Sequence, residues 1–542
     1  MRNLKIVGLT LLAACGSSPN APKDPPVLQV TSPARSLVQS GAGSITVTGT
    51  TAPSDEGAAV DSVTVNNVAA TLAADGSFTA TIQVPQGETL IHTIALGHDG
   101  GQATDTRSVQ AGELRKPGAN IDSALSISMS TDAFAKISQA ASTIIMQTDL
   151  SALIKPMQPM QNAGGGPDCL YDMAFVDTVN LGSANLSLVP VAGGLQFQAV
   201  IGNGDIHAHV NYAVACIDGS TSIHVTASQV TVAGTLLVTP KGNEGFDVKL
   251  DSPNVNIQGL NVSASGLPGD ILDMIDMNGL IATAISKAAE SFMGPMVNQA
   301  LGALSGPQKL PVLGHTIDVQ VDPSDVQFST SGGLIVLDTT MLIEGAENSP
   351  GFIFTDNGMP NMDPGQGFQL GLADDLANEL LAQLNSIGML NLSMPAMGGT
   401  FDATDIAMTT PPMISANPAD GKMHLVLGDM MMTFKSLGKP VGKAAVNASI
   451  DVKIDSVSNG YSVALSLGTP DINVDVLDDV ANETRFSDDA LGKAVQICVG
   501  GQLDSIAKLL VAIPVPSVAG LVIKDLTIGG DDGYVMVNGS FQ

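Results

Sequence analysis

The sequence predicts an α+β protein, two similar strand-and-helix units behind a small all-β sandwich. Three observations carry that expectation. Residues 27–111 hold short alternating runs separated by turn residues. Beyond residue 120 the alternating runs lengthen and are broken by apolar stripes of helical period. A strand-then-helix phrase, Ile127-Ser-Met129 with Asp132, recurs 243 residues later as Leu370-Gly-Leu372 with Asp375.

Composition narrows the function classes. The chain has 542 residues, enough for several domains, with 44% hydrophobic and 14% charged residues, so a core is assured and disorder is not expected. Lys and Arg total 22 against 52 Asp and Glu, a net charge of −30 that would repel phosphates, so no nucleic-acid partner is expected. Aromatics are 3%, with no Trp, which leaves little for stacking sugars. Gly reaches 58 and Met 23.

In chain order, Arg2 and Lys5 precede the apolar run Ile6–Leu12, which ends at Ala13-Ala14-Cys15. The run is too short for a permanent membrane helix and reads as a secretory signal over residues 1–14. Leu12-Ala13-Ala14-Cys15 resembles the bacterial lipobox, which implies cleavage before Cys15 and acylation of that residue as a lipid anchor. Gly16 rather than Asp follows it, so the resemblance implies an outer-membrane lipoprotein, on the periplasmic face or the cell surface. Residues 15–26, rich in Ser, Pro and Asn, read as a tether.

Residues 27–111 carry about seven short strands, including Ser44–Thr48 and Phe78–Ile82, with turn signals at Asp75-Gly76 and Gly100-Gly101. That spacing predicts a β-sandwich. Val65-Asn-Asn67 followed by Asp75-Gly-Ser-Phe78 resembles bacterial immunoglobulin-like domains, modules that act as spacers or adhesive units; a spacer is expected here because the domain follows the tether directly. Residues 112–119 read as a linker.

Four amphipathic helices are expected over 132–153, 270–304, 374–387 and 488–511, each starting near an Asp suited to the helix N-terminus. Pro295 is expected to interrupt the second. Each half then closes on a Pro-containing link and two strands, Leu310–Leu337 in one and Ile513–Val537 in the other. The units are 120–345 and 368–542, joined through 346–367.

That plan resembles the tubular lipid-binding (TULIP) superfamily, which includes bactericidal/permeability-increasing and lipopolysaccharide-binding proteins. The resemblance rests on Val179–Pro190 followed by Gly194–Phe197, on Gly371–Asp375 through Gly388–Ser393, on Thr410–Ser415 with Pro418, and on Ile513–Pro516. It covers about residues 120–542 and lies in the order of the phrases. It implies an elongated boomerang of two barrels, each a curved antiparallel sheet wrapped round a long helix, with acyl chains in apolar channels between helix and sheet. The channel lining it implies is Phe134, Ile137 and Ile144, then Ile275, Ile281, Ile285 and Phe292, then Leu376, Leu380 and Leu384, then Val495, Val499 and Ile506. The many Met, Leu, Ile and Val suit an adaptable apolar wall. The acidic balance departs from the basic tip by which host-defence members grip lipopolysaccharide.

Three cysteines follow Cys15. Cys169 and Cys216 lie in neighbouring strand-rich segments, and an oxidising compartment allows a disulfide between them, worth roughly 4 kcal/mol. Cys498 sits in a helical apolar stripe and reads as a buried thiol.

Chemistry is sparse. There is no His-Glu-x-x-His, Gly-x-Ser-x-Gly, Walker loop or Gly-x-Gly-x-x-Gly. His207 and His209 share one strand face, with His224 able to lie on a neighbouring strand. No fixed carboxylate partner is visible, so solvent-facing histidines rather than a metal site are expected. The paired acids at 478–479, 488–489 and 531–532 lack calcium-loop spacing. The expectation is a non-enzymatic protein without cofactor that binds, or binds and transfers, phospholipid or another acyl lipid. The alternative is a surface scaffold whose units are filled by their own side chains.

Overall fold

The fold is described from a computed structural model, which describes residues 3–6, 24–164, 171–214, 216–264, 306–312, 314–397, 401–417, 422–456, 462–478, 495–501, 503, 513–514 and 523–541. The expected α+β class, with long helices wrapped by sheet, does not form. Among the described residues the chain is mostly β, 65% strand against 12% helix. Lengths give the reason. The two longest strands, Gly194–Val214 and Ile217–Pro240, have 21 and 24 residues, whereas the longest described helix has 17. At about 3.3 Å per strand residue and 1.5 Å per helix residue, the sheet runs roughly 70–80 Å and the helix about 25 Å. Among the described residues no helix is long enough to be the axis of such a sheet; the expected helix over 270–304 and most of the one over 488–511 lie outside them.

The N-terminal sandwich has a four-stranded sheet built on Val27–Ser32, Gly43–Ala52 and Ser77–Val84, and a five-stranded sheet centred on Gly87–Gly97 and Gln102–Ala111. Alternation decides which faces meet. In Ser77–Val84 the residues Phe78, Ala80, Ile82 and Val84 are buried, and Thr79, Thr81 and Gln83 are exposed. The segment read as a linker holds a strand, Glu113–Arg115, paired with Phe352–Phe354, and the Arg115 guanidinium lies 3.4 Å over the Phe354 ring.

A seven-stranded central sheet joins the two halves. Ile121–Ser130 and Phe368–Ala373 are its middle neighbours, flanked by Gly332–Ile343 on one side and Tyr534–Phe541 on the other. Ile127 pairs with Leu370, and Leu125 with Leu372. The two phrases that repeat in sequence therefore lie antiparallel to one another.

The first long sheet contains Tyr171–Asn180, Gly194–Val214, Ile217–Pro240 and Phe246–Gln258, with Ser183–Val191 and Asn261–Ala264 beside them. Its two longest strands exchange faces midway. Leu195 and Phe197 point inward, and so do Ala208 and Val210, which have the other parity; opposite them Ile223 and Val225 give way to Val230 and Val232. Asn203 sits at the exchange in the left-handed region (φ 51°). A break in alternation that reads as a turn in sequence lies here within a continuous strand, whose pairing register is the same on both sides of Asn203.

The helix α1 (Thr131–Gln147) is capped by Ser130, whose Oγ accepts from Ala133 N, with Asp132 in the first turn. It stops at extended Thr148, and a separate α2 (Leu150–Ile154) starts from the Asp149 cap. The expected single helix over 132–153 is thus two. In α1, Ser138 Oγ accepts from Leu188 N and Ser142 Oγ from Leu186 N, at 2.9 and 2.8 Å. These bonds satisfy the outer amides of the edge strand Ser183–Val191.

The helix α3 (Asp374–Ser386) is buried on its polar as well as its apolar side. Asp375 accepts from Thr355 N, Glu379 from Gly118 N, and Gln383 from Ile343 N. Asn378 holds Ile414 through both its N–H and its C=O. Burial pushes the Glu379 carboxyl up to about 8.

The second long sheet is built on Lys422–Ser436, Lys439–Ser456, Asp471–Asp478 and Phe401–Ala407. Asn3–Ile6 pairs with Ile472–Asp475 at its edge, a strand that a chain processed at Cys15 would lack. Among the described residues, no helix is long and apolar enough to cross a membrane.

Candidate functional site

One apolar cluster runs from α1 through the central sheet into the second long sheet. Phe134 and Ile137 of α1 are buried in it beside Leu188, Phe197 and Leu236, with Ile144 half-buried further along the helix. Leu384 is fully buried, while Leu376 and Leu380 are half-buried against the same cluster. Val495 and Val499, in the helical residues 495–501, are fully buried. Ile275, Ile281, Ile285, Phe292 and Ile506 lie outside the described residues, as do Cys15 and Cys169. Cys216 is disulfide-bonded. Cys498 is a buried free thiol, and burial pushes it up to about 11.

Among the described residues, five buried methionines lie in the second sheet's interior among Leu, Ile, Val and Phe side chains. Met423, Met430 and Met432 point inward from Lys422–Ser436, and Met408 and Met413 join them from neighbouring segments. The inward row stays on one face because a bulge at Gly428-Asp429 takes up an extra residue between Leu427 and Met430. The same bulge turns Asp429 toward the sandwich.

The first sheet's interior has a second, smaller apolar patch beyond α1. Ala174, Val176, Ala208, Val210, Ile223 and Val225 are buried there with Ile154 and Met160. Val179, Ile206, Tyr212, Ile257, Leu260 and Val262 continue the face and are only half-buried.

The opposite, outer face of this sheet gathers the histidines that the sequence singled out. Asp205, His207 and His209 alternate along one strand, and register places His224 directly opposite His207. The two rings stack at 4.4 Å between centroids, 8° from parallel. Asp205 Oδ1 lies 2.7 Å from His224 Nε2 and 3.5 Å from His207 Nε2. Asp177, the extra residue at a bulge in Tyr171–Asn180, lies 2.8 Å from His209 Nδ1, and that ring stacks on Phe175. Asp177, His207, Ser222, His224 and Ser263 border a half-open cleft of about 390 Å³. The carboxylate partners absent from the sequence reading are therefore present. Asp205 was legible as Asp-x-His on one strand face, whereas Asp177 depended on strand pairing.

The sandwich docks on the outside of the second long sheet. Asp429 accepts from Arg35, Ser36 N and Ser108 N, and Asp475 accepts from Arg35 and Thr106 N. A Cβ at Gly428 would collide with Glu88 Oε1 and Ser108 Oγ, so this close approach requires glycine there. The module expected as a spacer is built into the body.

Residues 26–112 match the family model for glucodextranase, domain B. No curated protein matches the chain. Among solved structures the chain is similar to the P47 protein of Clostridium botulinum E1, at 11% identity and a TM-score of 0.27, covering 78% of this chain and 100% of that one. It is similar also to lipopolysaccharide binding protein, at 15% identity and a TM-score of 0.37, covering 79% of this chain and 99% of that one.

Proposed function

We propose that the protein is a non-enzymatic outer-membrane lipoprotein, anchored through Cys15, that holds the acyl chains of phospholipid against the apolar inner faces of its long sheets. The observation that carries this reading is the half-buried row Val179, Ile206, Tyr212, Ile257, Leu260 and Val262. These side chains extend an apolar face past the small helix that covers its start. Tails lying along it would gain roughly 0.8 kcal/mol per methylene removed from water. The methionine-rich interior of the second sheet adds a wall that can repack around chains of different shape.

A second reading, a scaffold filled by its own side chains, is supported by the complete burial of Leu384, Val495, Val499, Met430 and Met432. Titration with a fluorescent acyl phospholipid separates the two. The Cys15→Ser protein, free of detergent, is expected to bind the probe saturably, and Ile206→Asp with Ile257→Asp is expected to weaken that binding. An absence of saturable binding would favour the scaffold.

A further inference from the structure

Apolar cargo has no use for the outer face of the first long sheet, where two histidines and a carboxylate converge beside a cleft. We propose that Asp205, His207 and His224 bind one divalent transition ion of the zinc type, with the two Nε2 atoms and the carboxylate as ligands and water from the cleft completing the set.

Strand geometry does the positioning. Asp205 and His207 are two residues apart and so share a face, and His224 is the direct cross-strand partner of His207. The three donor atoms lie within 4.8 Å of one another. In a tetrahedral site with ligands about 2.0–2.1 Å from the ion, donors stand roughly 3.4 Å apart, so shifts of about 1.5 Å or less suffice. The His207–Asp205 separation, 3.5 Å, already fits.

One rearrangement is required. An ion lies in the plane of each imidazole it binds, and the two rings are nearly parallel, so at least one must turn. The side chains of His207 and His224 are 53% and 43% exposed, so packing does not hold them, and the second torsion of histidine is broad.

The donor set selects the ion. Two neutral imidazoles with one carboxylate suit zinc, whereas calcium and magnesium favour oxygen-only shells. Three protein ligands leave one position for water, for which the cleft of about 390 Å³ has room. Asp177, at the rim, adds a second negative charge that favours a cation there.

The test is calorimetric titration of the full chain, stripped with chelator and held in detergent, with Zn²⁺ alone. One ion per chain is expected, and His207→Ala, His224→Ala and Asp205→Asn should each weaken it about tenfold or more. His98→Ala, which removes a similar exposed pair with Asp61 on the sandwich, should leave it unchanged. Co²⁺ in place of Zn²⁺ should give visible bands of a tetrahedral site in the wild-type chain, a readout that does not depend on any variant folding. No saturable binding, a stoichiometry other than one, or binding that survives loss of both histidines would overturn the site.

Discussion

Arg35 Nη1 lies 2.8 Å from Asp429 Oδ1, an ion pair between residues 394 apart in sequence that ties the N-terminal sandwich to the second long sheet. The same guanidinium reaches Asp105 and Asp475 at 3.1 and 2.9 Å, and Arg107 shares Asp105. Two cations thus face three carboxylates at a junction where Asp429 and Asp475 are almost wholly buried.

Arg35→Ala removes the common cation and leaves Asp429 and Asp475 buried with their backbone amide donors but without that charge partner. A loss of about 3–5 kcal/mol is expected. Denaturant unfolding should show the sandwich separating from the rest at lower denaturant, and an unchanged single transition would contradict the arrangement.

The junction is also expected to respond to pH. Burial raises Asp475 to about 6 and Glu88, beside Asp429, to about 8. Carboxyls raised on folding contribute stability in their protonated form. That contribution is complete below about pH 4 and is lost as pH rises through 6 for Asp475 and through 8 for Glu88. Glu88→Gln keeps the shape without the charge. It should raise stability by a few kcal/mol at pH 9 and hardly change it at pH 5. Calorimetric melting at both values checks this; equal effects at the two pH values would count against it.

Ser138→Ala in α1 should cost about 1–3 kcal/mol, because it leaves the buried Leu188 N–H without its acceptor. Hydrogen exchange at Leu188 should quicken more than exchange in the central sheet. Equal protection in both variants would show that the helix does not hold this edge.

Much of the architecture was legible because burial follows alternation. Phe78, Ala80 and Ile82 are inward-facing where the pattern placed them, and the Asp75-Gly76 turn has the expected left-handed glycine (φ 83°). The helix-to-strand balance was not legible. Asn203 interrupts the alternation within one continuous strand, so the chain reads as shorter strands than it forms. Nor was the role of α3. Asp375, Glu379 and Gln383 look like a solvated face, but their acceptor oxygens serve backbone amides of Thr355, Gly118 and Ile343, the second of them 261 residues away. The histidine face was half legible, since Asp205 and His207 share a strand while His224 joins them only through register.

Cys15→Ser should move the protein from the membrane fraction to the soluble one without changing its melting temperature, because the substitution removes only the acylation site. One chain alone would bind marginally, so loss of the whole anchor should be complete in cell fractionation. Retention of the variant in membranes after a high-salt wash would contradict the lipoprotein reading.

The central claim is that the apolar inner faces carry lipid. Native mass spectrometry of the detergent-free Cys15→Ser protein, followed by organic extraction, tests it most directly. Phospholipid with a zwitterionic head should co-purify in excess over lipopolysaccharide, since a chain of net charge −30 disfavours multiply anionic heads. Recovery of bare protein with no extractable lipid, under conditions that keep it folded, would contradict the account.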